Sequence, residues 1–103
     1  MNQAVYVGTI GCHIHILIPD DLVTEVESIV IEVCKPSLNV VEWNPLTVDY
    51  DSETGITTLT YETIEGDLNE AGMYRIQPVV TMTDGDIWPL GVATWSVLAR
   101  FEV

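Results

Sequence analysis

Positive charge is the scarcest property of this chain. Its 103 residues hold 3 Lys and Arg against 16 Asp and Glu, for a formal net charge of −13. Lys35, Arg75 and Arg100 are the whole cationic complement. A polyanion repels phosphate, which argues against nucleic acid and anionic membrane surfaces as partners. The same charge keeps sheet edges apart and the protein soluble, and it suits docking onto a basic partner. Cysteine is nearly as scarce, with Cys12 and Cys34 alone. On a strand, Cys12 shares a face with Ile14, Ile16 and Ile18, whereas Cys34 shares one with Glu32, so two reduced thiols are expected. The chain does not open on a basic stretch followed by an apolar run. No secretory leader is therefore expected, and synthesis in a cytoplasm is. No apolar run approaches the roughly 18 residues of a membrane-spanning helix, so membrane insertion is not expected. Apolar residues nevertheless make up 48% of the chain. That is enough for a core, and the length suits one domain over residues 1–103.

A helical period is also missing, except over Asp20–Ser28, which reads as a loop or one helical turn capped by Asp20 or Asp21. Everywhere else apolar residues recur with period two between turn clusters, the pattern of an all-β sandwich or barrel. Strands are predicted at Ala4–Gly8 continuing as Cys12–Ile18, then Ser28–Lys35, Val40–Asn44, Thr47–Tyr50, Ile56–Thr63, Gly72–Met82 and Val92–Val103. The segment Thr83-Asp84-Gly85-Asp86 carries a hairpin turn signal. Pro78, inside a predicted strand, calls for a bulge or an unpaired position there.

The stretch Glu70-Ala71-Gly72-Met73-Tyr74-Arg75-Ile76 has the form of the tyrosine corner of an immunoglobulin-like sandwich, with Ile76 where antibody domains place a Cys. Trp43 lies about one strand upstream, where such a sandwich seats a core aromatic. The expected fold is thus an immunoglobulin-like β-sandwich of about seven antiparallel strands in two sheets. Trp43, Tyr74, Ile76, Trp95 and Phe101 are its expected structural core, together with Tyr61. Trp43 from one sheet and Tyr74 from the other are expected to pin the interior. Tyr6, Trp88, Pro89 and Leu90 do not fit the inward faces and are the candidate partner contacts, because exposed aromatics beside Pro and Leu make good anchors.

Catalytic grammar is missing as well. His13 and His15 share one strand face, but a metal site needs a third or fourth ligand that the spacing does not supply, so solvent-facing histidines are expected and no metal. The acidic turns Asp49–Glu53 and Asp84–Asp86 do not complete a calcium loop. No phosphate-cradling glycine loop and no nucleophile elbow is present. Neither an enzyme nor a cofactor is expected.

The series Tyr6-Val7-Gly8, Lys35-Pro36, Val41-Glu42-Trp43, Gly66–Tyr74 with Gln77-Pro78, Asp84-Gly85 and Phe101-Glu102-Val103 resembles small Ig-like structural proteins of tailed bacteriophages and prophages, and more distantly the N-terminal domain of phage baseplate upper proteins. That resemblance implies a non-enzymatic virion structural module of the tail, baseplate or head surface, made in the host cytoplasm and located in the virion. Its partners would be other virion proteins, met in many symmetric copies. The alternative is a carbohydrate- or host-receptor-binding module of a phage particle.

Overall fold

The period-two pattern folds as strands throughout the computed structural model, which describes residues 5–100. In chain order these are β1 (His13–Ile18), β2 (Val26–Cys34), β3 (Val40–Trp43), β4 (Thr47–Asp51), β5 (Ile56–Glu62), β6 (Gly72–Met82), β7 (Ile87–Pro89) and β8 (Ala93–Val97). No helix occurs among the described residues, so the segment after Pro19 is a loop and not a helical turn. One sheet has three strands in the order β1-β5-β4. The other has five, β3-β2-β6-β7 with β8 also paired to β6. The named strands pair antiparallel throughout. The expected all-β, immunoglobulin-like sandwich is therefore present, with eight strands among the described residues.

The expected last strand, Val92–Val103, differs most. Its paired part is β8, and the short β7 precedes it on the same side of β6. Phe101, an expected core residue, lies outside the described residues, as do Glu102 and Val103. Pro78 sits where β7 and β8 part. Leu90 donates its N–H to the Pro78 carbonyl at 2.9 Å. An ordinary antiparallel partner would return an N–H to the Leu90 carbonyl, and proline has none to give. The Gln77 side-chain amide supplies that donor instead, at 2.8 Å. The ladder register across β2 and β6 stays regular at Pro78, and the irregularity falls between Val26 and Ser28.

Core positions follow strand parity. Ile31 and Val33 of β2, Trp43 of β3, Leu59 of β5, Tyr74 and Ile76 of β6, and Val97 of β8 are buried in one cluster with Leu68. Ile14, Ile16, Ile18, Val48, Tyr61 and Trp95 pack against it from partly buried positions. Trp43, Tyr74 and Ile76 are thus core residues as expected, and Trp95 meets Tyr74 edge-on with ring centroids 6.4 Å apart. The expectation that Trp43 and Tyr74 come from opposite sheets is corrected, since β3 and β6 both flank β2. The phenol that Trp43 meets across the sandwich belongs to Tyr61 of β5, stacked at 4.6 Å and 8°. The Tyr61 hydroxyl donates to Asp67 Oδ2 at 2.6 Å. Burial and then that carboxylate push the phenol far above its ordinary range, so it remains a donor.

Tyr74 closes the predicted corner. Its hydroxyl donates to the Glu70 carbonyl at 3.0 Å and accepts the Glu70 N–H at 3.1 Å. The Glu70 carboxylate in turn accepts the Ser37 N–H and hydroxyl, and Lys35 Nζ donates to the Gly66 carbonyl and Asn69 Oδ1. Gly72 has a φ of 130°, and a Cβ there would stand 2.9 Å from the Pro36 ring. The Lys35–Ser37 turn and the Gly66–Gly72 segment are thereby locked together.

These contacts set a test of the core. Trp43→Ala removes a side chain that is 3% exposed and should cost about 3–5 kcal/mol in urea denaturation. Tyr74→Phe should cost about 0.5–1.5 kcal/mol through the lost corner bonds. A Trp43→Ala loss below about 1 kcal/mol would contradict a stack buried between the sheets.

Candidate functional site

Five strands cannot be covered by three. Where β1 ends at Ile18, the chain crosses from the smaller sheet to the larger, and the inner face of β7 and the end of β6 extend past the crossing loop. Trp88 pairs with Val80, so its indole projects on the core-facing side of the larger sheet. Among the described residues no strand covers it there, and Trp88 is 58% exposed. The result is a groove of about 560 Å3 between the crossing loop and the β6–β7 hairpin. Its apolar lining is Leu22, Val80, Met82, Trp88 and Leu90.

Both rims are acidic. Asp20, Asp21 and Glu25 stand on the crossing loop, and Asp84 and Asp86 on the hairpin. No Lys, Arg or His is among the lining residues. Two of the three cations of the chain are engaged elsewhere, Lys35 in the corner and Arg75 against the Cys34 thiol at 3.4 Å.

Each wall has its own anchors. The buried Thr57 hydroxyl of β5 donates to the Asp20 carbonyl at 2.6 Å and accepts the Leu22 N–H at 3.1 Å. This tethers the loop to the smaller sheet and seats Leu22. Asp21 Oδ1 accepts the N–H groups of Val23 and Thr24. Those bonds, from Thr24 first and then Val23, hold the Asp21 carboxyl below its ordinary range. The loop reaches β2 through Glu25 at a φ of 61°, a left-handed conformation that is rare for a residue with a Cβ. The Glu25 carbonyl accepts the Thr83 N–H at 3.0 Å, which ties the loop to the hairpin. In the hairpin, Gly85 has a φ of 94°, the left-handed position that its Asp-Gly signal calls for.

The expected contact residues divide. Trp88 and Leu90 line the groove. Pro89 pairs with Val79 and so turns to the opposite face of the sheet. Tyr6 is not part of the groove; it bridges to Leu98 in parallel, and its carbonyl accepts two bonds from Thr9. Sequence reading missed the loop half of the site. Asp20 and Asp21 read as turn or cap residues, which Asp21 is. The acidic flanks at both Asp20-Asp21 and Asp84–Asp86 were a signal, but nothing in one dimension shows that they face each other.

The histidine pair is a separate feature. His13 and His15 lie on the exposed face of β1, across from Glu62 and Thr60. His13 Nε2 is 3.3 Å from Glu62 Oε2, and His15 Nδ1 is 3.1 Å from Thr60 Oγ1. Among the described residues no group of three or more His, Cys, Asp or Glu is gathered closely enough to hold a metal ion.

No protein-family model matches the chain. No curated protein matches it either. A solved structure does share its fold: the crystal structure of CopC from Methylosinus trichosporium OB3b, at a TM-score of 0.51 and 16% identity, with 98% of this chain and 90% of that one covered. The match is to CopC and not to a phage protein, which overturns the phage reading. The virion structural role, the alternative of a glycan- or receptor-binding phage module, the virion-protein, glycan and host-receptor partners, and the virion location are withdrawn with it. The physical reason is visible in the corner. Lys35-Pro36, Gly66–Tyr74 and Gln77-Pro78, which carried the resemblance, serve the sandwich itself through the bonds to Gly66, Asn69, Glu70 and Leu90. Such residues identify a fold, and a fold is shared by proteins of unrelated function.

Thr57 gives the local test of the groove wall. Thr57→Val strips the Leu22 N–H and the Asp20 carbonyl of their buried partner and should cost about 1–3 kcal/mol, whereas Thr57→Ser should cost less than half of that. A larger loss for Thr57→Ser than for Thr57→Val in urea melts would show that the methyl group, not the hydroxyl, fixes the loop.

Proposed function

We propose that the chain is a non-enzymatic binding domain that takes a positively charged ligand in the groove between the crossing loop and the β6–β7 hairpin. The observation that carries this is the Trp88 indole, left open to solvent over an apolar floor and flanked by five carboxylates without a neighbouring cation. An indole gains by being covered, and its face attracts cations. Carboxylates converging on a concave surface focus a negative potential and raise the local concentration of positive ligands. Because the rims are solvated, their contribution is screened by salt. The lining residues are carboxylates, apolar side chains and Thr24, with no His, Cys, Ser or Lys to act as a nucleophile or proton shuttle.

Tetra-lysine and tetra-glutamate provide the comparison. In amide NMR titrations, tetra-lysine should shift Thr24, Glu25, Asp86 and Trp88, and roughly 0.5 M salt or the double variant Asp84→Asn/Asp86→Asn should weaken the effect several-fold, as screening or loss of surface charge predicts. Tetra-glutamate should leave the groove unshifted. Tetra-lysine shifts spread over the whole acidic surface, with none concentrated at the groove, would defeat the reading.

A second reading is favoured by the His13–Glu62 contact. Imidazole suits copper, zinc and nickel, and His15 stands one pleat along the same exposed face. With no third His, Cys, Asp or Glu gathered beside them among the described residues, the two imidazoles alone would bind such an ion weakly, with water completing its shell. Calorimetry with Cu(II) and Zn(II) should then show binding that is lost in His13→Ala/His15→Ala. Heats that persist in the double variant would rule this surface out.

A further inference from the structure

The groove has an apolar floor between two acidic rims, and that layout selects among positively charged ligands. We propose that its occupant is an extended segment of a partner protein in which a large apolar residue is flanked by Lys or Arg. This rests on the cation-binding reading of the groove and specifies the ligand.

Three observations lead there. First, the floor is too apolar for a ligand of charge alone. Val80 and Leu22 are buried, Met82 and Leu90 half-buried, and Trp88 exposed, so water leaves the indole only when an apolar group lies against it. Second, the carboxylates are split between the two sides, Asp20, Asp21 and Glu25 on the loop and Asp84 and Asp86 on the hairpin. An extended chain alternates its side chains, so one residue can point into the floor while its neighbours reach toward the rims. Third, strand addition is a poor alternative here. β7 is only three residues long, and Pro89 offers no N–H at its edge. Side chains, not a backbone ladder, must therefore carry the recognition.

Charge complementarity also decides against a second copy of this chain. Each copy brings a net charge of −13 and three cations. Of these, Lys35 is buried with its ammonium on Gly66 and Asn69, and Arg75 lies on the sheet beside Cys34. Neither is presented on an extended segment that could enter a groove lined by five carboxylates, and the exposed Arg100 is a single cation against acidic rims on both sides.

The test uses the full chain and three probes: tetra-lysine, the peptide Lys-Leu-Lys-Leu-Lys, and its control Lys-Ser-Lys-Ser-Lys. The Leu peptide should bind at least tenfold more tightly than the Ser peptide, the increment expected on the order of burying one aliphatic side chain. Trp88→Ala should abolish that advantage, bringing the Leu peptide to within about twofold of the Ser peptide. Trp88→Phe should retain most of it, which separates loss of the apolar platform from a damaged fold. Equal binding of the Leu and Ser peptides would overturn this inference and keep the broader cation reading. Failure of all three probes to shift the groove would remove both. Concentration-dependent shifts of Trp88 without any peptide would place a second copy in the groove and overturn the inference.

Discussion

The stack of Trp43 on Tyr61 is the contact on which the sandwich turns. It joins β3 of the larger sheet to β5 of the smaller one with the rings 4.6 Å apart and nearly parallel. Around it the aliphatic residues of β1, β2, β6 and β8 close the interior. The indole N–H of Trp43 finds no partner among the described residues. A buried donor without an acceptor works against folding by about 1–3 kcal/mol. The ring area removed from water and the aromatic contact must outweigh this, which places the value of Trp43 in its packing and not in its hydrogen bonding.

The stack fixes how the sheets overlap, and the overlap creates the groove. Three strands laid over five leave part of the larger sheet uncovered. On the covered side Tyr74, Ile76 and Val97 are buried; on the uncovered side the residue opposite Val80 is an exposed tryptophan. The crossing loop frames this gap without filling it, held by Thr57 below and Thr83 beside it. Its strained Glu25 is consistent with a loop shaped by its surroundings and not by local preference. The concentration of negative charge then gives the gap its chemical character.

Much of the fold was legible because its determinants are local. The extent of β6 was read to the residue, since Gly72 and the Thr83-Asp84-Gly85 turn punctuate a clean alternation. The corner was legible because Tyr74 reaches a backbone group only four residues away. The last strand was read past Val97 because Trp95, Val97 and Ala99 keep their alternation, and the short β7 ahead of it was not read at all. The break between β7 and β8 falls opposite Pro78 in another strand, where Gln77 replaces the backbone donor that proline lacks. The sheet membership of Trp43 and Tyr74 was likewise misassigned, since alternation reports which side of a strand is apolar and says nothing about which strands are neighbours. The phage resemblance failed for a related reason: it rested on residues spent on corners and turns that any such sandwich requires.

Composition and short-range spacing were enough for the strand-rich architecture, the buried aromatics, the turn glycines and the anionic character. All of these follow from forces acting between residues close in the chain or from a sum over all of them. The groove is different. Trp88 and Leu90 stood out as misfits in the pattern, but their setting did not, because it depends on Asp20, Asp21 and Glu25 being carried across the sandwich to face Asp84 and Asp86. Segments some sixty residues apart meet there only because two sheets of unequal width pack on one core. No pattern read along a single strand encodes the difference in their widths.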